Sequence, residues 1–80
     1  MLVSMGINKK TSKGRQILAA NMRSRRAEIG ISQEKLAELA DLHRTYVSTV
    51  ERCQRNIGID GISRIARALK MKLSELLQEK

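Results

Sequence analysis

With a single aromatic side chain, Tyr46, and a single cysteine, Cys53, this eighty-residue chain has few ways to hold itself together. A domain of that size buries a thin core, which disulfides, a metal or a partner chain commonly supplement. One cysteine cannot close an internal disulfide. Cys53 and His43 are the only soft metal ligands, too few for a structural zinc site. Proline and phenylalanine are absent, so the core must be built from Leu, Ile, Val, Ala and Met. What remains is close packing of helices, helped by association with a second copy.

The apolar pattern agrees. Residues 1–14, "MLVSMGINKKTSKG", mix Gly, Ser, Asn and Lys without apolar period and read as a mobile basic arm. From Arg15 the period is helical, with Leu18, Met22 and Ile29 on one face and Gly30 as the stop. Ser32 reads as the N-cap of a second helix, whose stripe is Leu36, Ala37 and Ala40. Asp41 falls where the chain must turn at once, and Asp tolerates left-handed geometry better than most residues. A third helix runs from about His43 to Arg52 over Val47 and Val50, and "CQRNIG" is a loop. Asp60 is the expected N-cap of a fourth helix carrying Ile62, Ile65, Ala66 and Leu69. A short fifth, "LSELLQ", is expected to bury Leu73, Leu76 and Leu77. Five helices without a strand pattern make residues 15–80 one all-α domain.

Charge narrows the partner. Sixteen Lys and Arg against eight Asp and Glu give a formal net charge of +8, which suits a polyanion. A solvated basic surface with no specific partner accounts for the total equally well. The distribution is more telling: residues 1–30 hold seven bases and one acid, residues 31–60 four and five, residues 61–80 five and two. Uncharged runs are too short to span a bilayer and no signal-peptide pattern opens the chain, so a cytoplasmic protein is expected. The unpaired cysteine is consistent with a reducing compartment.

Residues 33–52, "QEKLAELADLHRTYVSTVER", concentrate the chemistry. Two short helices joined by a tight turn at Asp41 are the helix-turn-helix arrangement, with Ala37 small where the helices approach. The outward face of the second carries Arg44, Thr45, Ser48 and Thr49, all able to hydrogen-bond, and no acid. Glu51 is spaced to turn away from that face, while Glu34, Glu38 and Asp41 lie on the preceding helix and its turn. Arg can pair bidentately with guanine, and Thr can offer a hydroxyl or touch a thymine methyl. Ser and Thr near a helix start also bond locally, so Thr45, Ser48 and Thr49 have a bland reading as well. His43 reads as a cap or an exposed residue.

The run "SQEKLAELA", the run "RTYVSTVER", "RN" at 55–56, and "IARAL" followed by "LSELL" together resemble the XRE class, the phage Cro and lambda-repressor-like helix-turn-helix regulators. The resemblance covers roughly residues 16–77. The "RTYVS…ER…RNI" run also resembles the controller proteins of restriction–modification operons. The resemblance implies a five-helix domain that binds double-stranded DNA as a homodimer, with the third helix in the major groove. It implies that Arg44, Thr45, Ser48 and Thr49 face bases or nearby phosphates, and that Gln33 contacts the backbone. Tyr46 would pack near the backbone, with Arg55 and Asn56 in a loop that approaches DNA. Arg26 and Glu51 match a recurring structural ion pair. Three residues depart from the pattern: Cys53 stands where many members end the helix with glycine, Ile57 replaces a common proline, and Lys72 replaces a serine cap.

No paired His and carboxylate, glycine-rich phosphate loop or metal cluster supports an enzyme, and no cofactor is expected. The scarcity of stacking aromatics speaks against RNA. An antitoxin that neutralises a partner protein and regulates its own gene is the alternative from another class. The expected dimer contact is the apolar C-terminal part, Leu69, Met71, Leu73, Leu76 and Leu77, although the same residues could all be intramolecular core. RNA polymerase is a further candidate partner, and no second domain is evident to hold a small-molecule effector.

Overall fold

The chain's computed structural model describes residues 12–79. Helix α1 (Lys13–Ile29) starts two residues before its apolar period does, because Ser12 caps it: Ser12 Oγ accepts from the Arg15 backbone N–H at 3.1 Å. Capping satisfies a donor that has no partner within the helix, and no hydrophobic pattern records it. Of the arm expected over residues 1–14, residues 12–14 therefore belong to the start of α1, and residues 1–11 lie outside the described residues. Four helices follow: α2 (Gln33–Ala40), α3 (Arg44–Glu51), α4 (Ile59–Ala68) and the single turn α5 (Leu73–Leu76).

The core sits where α1, α2, α3 and α4 meet, with α5 closing it against α1 and α4. Met22, Leu36, Val47, Ile65, Leu69 and Leu76 are its largest buried members. The stripes expected for α1 to α4 are there, α5 contributes only Leu76 of its expected three, and the small Ala37 and Ala40 let α2 lie close to its neighbours. At roughly 25 cal/mol per Å² of apolar surface, such a core is modest, so the chain must satisfy its polar groups carefully.

It does so at the helix ends. Backbone φ is positive at Gly30 (72°), Asp41 (57°), Cys53 (62°) and Lys70 (58°). Each left-handed residue reverses the chain so that orphan carbonyls of the last turn are reused. After α3, Cys53 N–H donates to Val50 O and Gln54 N–H to Thr49 O; after α4, Lys70 N–H donates to Arg67 O and Met71 N–H to Ala66 O. Asp41 is thus the expected turn residue, and Cys53 keeps glycine's geometry despite its β-carbon.

Side chains from elsewhere complete these ends. Asn21, buried in α1, donates from Nδ2 to Leu76 O (2.7 Å) and Gln78 O (2.8 Å) beyond α5. Arg25 Nε donates to Leu69 O at 3.0 Å, and Arg64 Nη1 donates to Asp41 O at 3.3 Å. Cationic donors at helix C-termini complement the partial negative charge there.

Three sequence expectations need correcting. The N-cap of α4 is Gly58, and Asp60 stands inside the first turn, where its charge faces the positive helix end. Leu77 is 40% exposed, because α5 stops after one turn and Leu77 becomes its C-cap. Leu69 and Leu76, considered for a dimer contact, are 0% exposed within the single chain and belong to its own core. Lys72 has donors only and cannot cap α5; instead Glu75 Oε1 accepts from the Lys72 backbone N–H at 2.8 Å.

Lys70 is exposed and left-handed, a conformation that costs a side-chain-bearing residue roughly 1–2 kcal/mol and glycine nothing. Lys70→Gly should therefore stabilise the domain by about 0.5–1 kcal/mol after glycine's larger entropy loss. The check is a urea titration, with the midpoint raised at unchanged slope.

Candidate nucleic-acid interface

The turn at Asp41 sets α3 across α2, with Leu42 N–H donating to Ala37 O at 2.9 Å. Val47 and Val50 enter the core, which forces the opposite side of α3 outward. On that side Arg44 and Thr45 are exposed, and Ser48 and Thr49 are half-buried. The structure thus brings four of the expected residues onto one surface. His43 is the N-cap but makes no side-chain capping bond.

Glu51, the last residue of α3, is withdrawn from this surface. Its side chain is 2% exposed and grips Arg26 of α1 bidentately, Nε to Oε2 at 2.7 Å and Nη2 to Oε1 at 2.9 Å. Arg26 Nη1 also donates to Ile31 O at 3.1 Å, and Arg23 Nη1 donates to the Glu51 carbonyl. The hydrogen bond to Glu51 raises the Arg26 pKa, opposed by burial and assisted by the charge of Glu51. A group held protonated in this way stabilises the fold fully below its unfolded pKa, and loses that contribution only as pH rises through the folded one. The contribution of Arg26 is therefore constant across the physiological range.

Gln33 joins this cluster. Its Nε2 donates to Glu51 Oε1 at 2.9 Å, so the side chain is fixed from within and retains its carbonyl oxygen and one N–H. An open groove lined by Ser32, Gln33, Glu34 and Arg44 joins the start of α2 to the start of α3. The backbone N–H groups of a helix start attract anions. Glu34 qualifies the idea that the α2 acids stand apart from the surface, since it borders Arg44. Glu38 is occupied by Lys35 at 3.5 Å.

Beyond α3, the loop returns to the same surface. Arg55 and Asn56 are exposed, and the Arg55 guanidinium lies over the Tyr46 ring, 5.0 Å from its centroid. Arg55 Nε also donates to Thr49 Oγ1 at 3.2 Å, and that hydroxyl donates to Tyr46 O at 2.9 Å. Ile57, placed where proline is common, packs on the core beside Tyr46. A β-carbon at Gly61 would stand 2.9 Å from Ile57 Cγ1 and 3.7 Å from Tyr46 Oη, so glycine is what lets α4 lie this close. The periodicity missed Arg23, Asn21 and the Gln33–Glu51 bond; each partner is distant in sequence, and only the polar character of Asn21 on an inward face hinted at it.

These features place the chain among known proteins. The helix-turn-helix family model matches residues 22–76. The chain belongs to the helix-turn-helix family. It is 44% identical over 63 residues to the control protein C.SmaI of Serratia marcescens, covering 79% of this chain and 75% of that one. The crystal structure of the hypothetical transcription factor NHTF from Neisseria superposes with a TM-score of 0.82 at 45% identity, covering 84% of this chain and 77% of that one. The restriction–modification controller protein C.AhdI from Aeromonas hydrophila gives a TM-score of 0.75 at 40% identity, over 78% and 94% of the two chains. Family members are DNA-binding regulators, and this one places its helix-turn-helix at α2 and α3. Among the described residues no helix is long and apolar enough to cross a membrane.

Removing Arg26 would leave Glu51 buried with its charge uncompensated. Arg26→Ala should cost about 3–5 kcal/mol, a large share of a small domain's stability. Thermal unfolding by circular dichroism would show a domain largely unfolded at room temperature. A loss under about 1 kcal/mol would mean that the bond from Gln33 suffices to hold the Glu51 carboxylate.

Proposed function

We propose that the chain is a sequence-specific transcription regulator of a restriction–modification operon and of its own gene. It binds a pseudo-palindromic operator as a homodimer in the cytoplasm. The observation that carries this reading is the outward side of α3: Arg44 and Thr45 are exposed beside the half-buried Ser48 and Thr49, while the helix's one acid is drawn inward by Arg26. Each subunit inserts α3 into a major groove, and two-fold symmetry sets the half-sites about one helical turn apart. Arg44, at the exposed start of α3, reads a base, while Thr45 and Ser48 supply hydroxyls to bases or phosphates. Gln33 and the start of α2 hold the backbone. Asn56 and Arg55 approach from the loop, and Tyr46 turns its hydroxyl toward a phosphate.

The dimer contact narrows to residues the single chain leaves accessible. Leu77 is 40% exposed, and Met71 and Leu73 are half-buried, which supports a small apolar seam near the C-terminal end. The relatives named for control of restriction–modification systems support the biological role. RNA polymerase is a partner only if the operator lies beside a promoter that this chain activates.

Selection of bound sequences from random duplex DNA at near-physiological salt tests the reading. A palindromic consensus is expected, with affinity falling steeply as salt rises, by a log–log slope of about −0.9 per phosphate contacted. Arg44→Ala should weaken operator binding by about 1–3 kcal/mol and relax preference at one base pair per half-site. Unchanged preference would reassign Arg44 to phosphate. Recovery of no consensus would sink the operator reading and favour the antitoxin alternative, to be pursued through a co-purifying partner.

A further inference from the structure

We infer that Thr49 is a positioning residue: its hydroxyl and the Tyr46 ring hold Arg55 ready for a bidentate acceptor on DNA. The inference rests on the operator-binding reading and adds to it a division of labour within the surface. Thr49 stands among the residues expected to read bases, yet its hydroxyl is committed on both sides. Its proton goes to Tyr46 O at 2.9 Å, and its oxygen receives Arg55 Nε at 3.2 Å. A hydroxyl has one donor and two lone pairs, so Thr49 keeps a single lone pair and no donor for DNA.

Arg55 is the group that gains. Arginine in a loop ordinarily samples many rotamers, and ordering one on binding weakens affinity. Here Nε is tethered and the guanidinium plane rests on Tyr46, 5.0 Å from the ring centroid. Among the described residues, Nη1 and Nη2 of Arg55 have no hydrogen-bond partner. Arg55 is exposed, so the N–H donors of its two terminal nitrogens remain available as a fork. That fork matches a pair of acceptors, either guanine O6 and N7 or two phosphate oxygens. Tyr46 itself packs against the core and its hydroxyl lies beside Gly61 of α4, so the platform is part of the packed fold and not of the loop alone.

The test uses the full chain and the operator recovered by selection. Binding is measured for the unaltered protein, Thr49→Val, Thr49→Ser, Arg55→Ala and the Thr49→Val/Arg55→Ala double variant, against operators altered at each base pair and over a range of salt. Thr49→Val keeps shape but removes the acceptor and should weaken binding roughly three- to tenfold, the loss expected when one such side chain is no longer pre-set. Thr49→Ser should restore most of it. In the Arg55→Ala background Thr49→Val should change nothing, because its effect passes through Arg55. Loss confined to one base pair per half-site assigns the fork to guanine. Uniform loss with a salt slope reduced by about one assigns it to phosphate. Either pattern supports the positioning role.

Three results would overturn it. One is equal weakening by Thr49→Val with and without Arg55, which is what damage to α3 or an independent contact by Thr49 would give. Another is full-strength binding by Thr49→Val. The third is a base preference lost at a position that Arg55→Ala leaves intact. A clear consensus with additive losses defeats this inference alone, whereas no consensus for the unaltered protein defeats the operator reading with it.

Discussion

The buried pairing of Arg26 with Glu51 is the constraint around which this domain is arranged. It joins the last turn of α1 to the end of α3, and through Ile31 O and Gln33 it fixes the entry to α2. Burying two charges is expensive and repays the cost only with near-complete hydrogen bonding, which this cluster has: both carboxylate oxygens are occupied and one accepts twice. The return is orientation more than stability. An acid at the end of a helix that meets DNA would repel phosphate, and here it becomes the anchor that sets that helix's angle. One interaction thus supplies the placement of α3 and clears its outer side.

The same economy governs the positive charge. A net +8 invites the view that the cations are all for a polyanion, but several of them face inward in effect. Arg23 meets the end of α3, Arg25 the end of α4, and Arg64 the end of α2, each at carbonyls that a short helix leaves unsatisfied. Asn21 does the equivalent service for α5. A chain with a thin core and no disulfide thereby uses helix-end hydrogen bonds as its cross-links. Composition alone overstated the charge available to DNA, and the surface of α3 and its loop is the better guide.

How much of this was readable beforehand divides along physical lines. Helix existence, the turn at Asp41 and the inward stripes followed from period and local geometry, because each depends on residues within a few positions. The Arg26–Glu51 pair came from the resemblance to known regulators, and spacing said only that Glu51 turns away. Long-range polar contacts were invisible: Asn21 and its acceptors Leu76 and Gln78 lie 55 and 57 residues apart. Gly58 in place of Asp60 as the N-cap of α4, and the exposure of Leu77, turned on exactly where a helix stops, which period resolves poorly. Thr49 shows the subtler limit. Residue type and face marked it as a reader, but whether a hydroxyl is available depends on what already occupies it.

That last point bears on how so small a surface can be selective. Flexible cations on a loop give affinity without register, since each must be ordered when DNA arrives. The chain instead carries rigidity outward in steps: Gly61 admits Ile57 and Tyr46 against α4, Tyr46 offers its ring to Arg55, and Thr49 fixes the one remaining direction. Among the described residues Arg44 has no such tether, and it stands exposed at the start of α3. The surface therefore carries one arginine at the open start of α3 and one held by tertiary contacts. Under the proposed reading, an arginine held ready in this way is what would turn positive charge into a preference for one placement of acceptors over another.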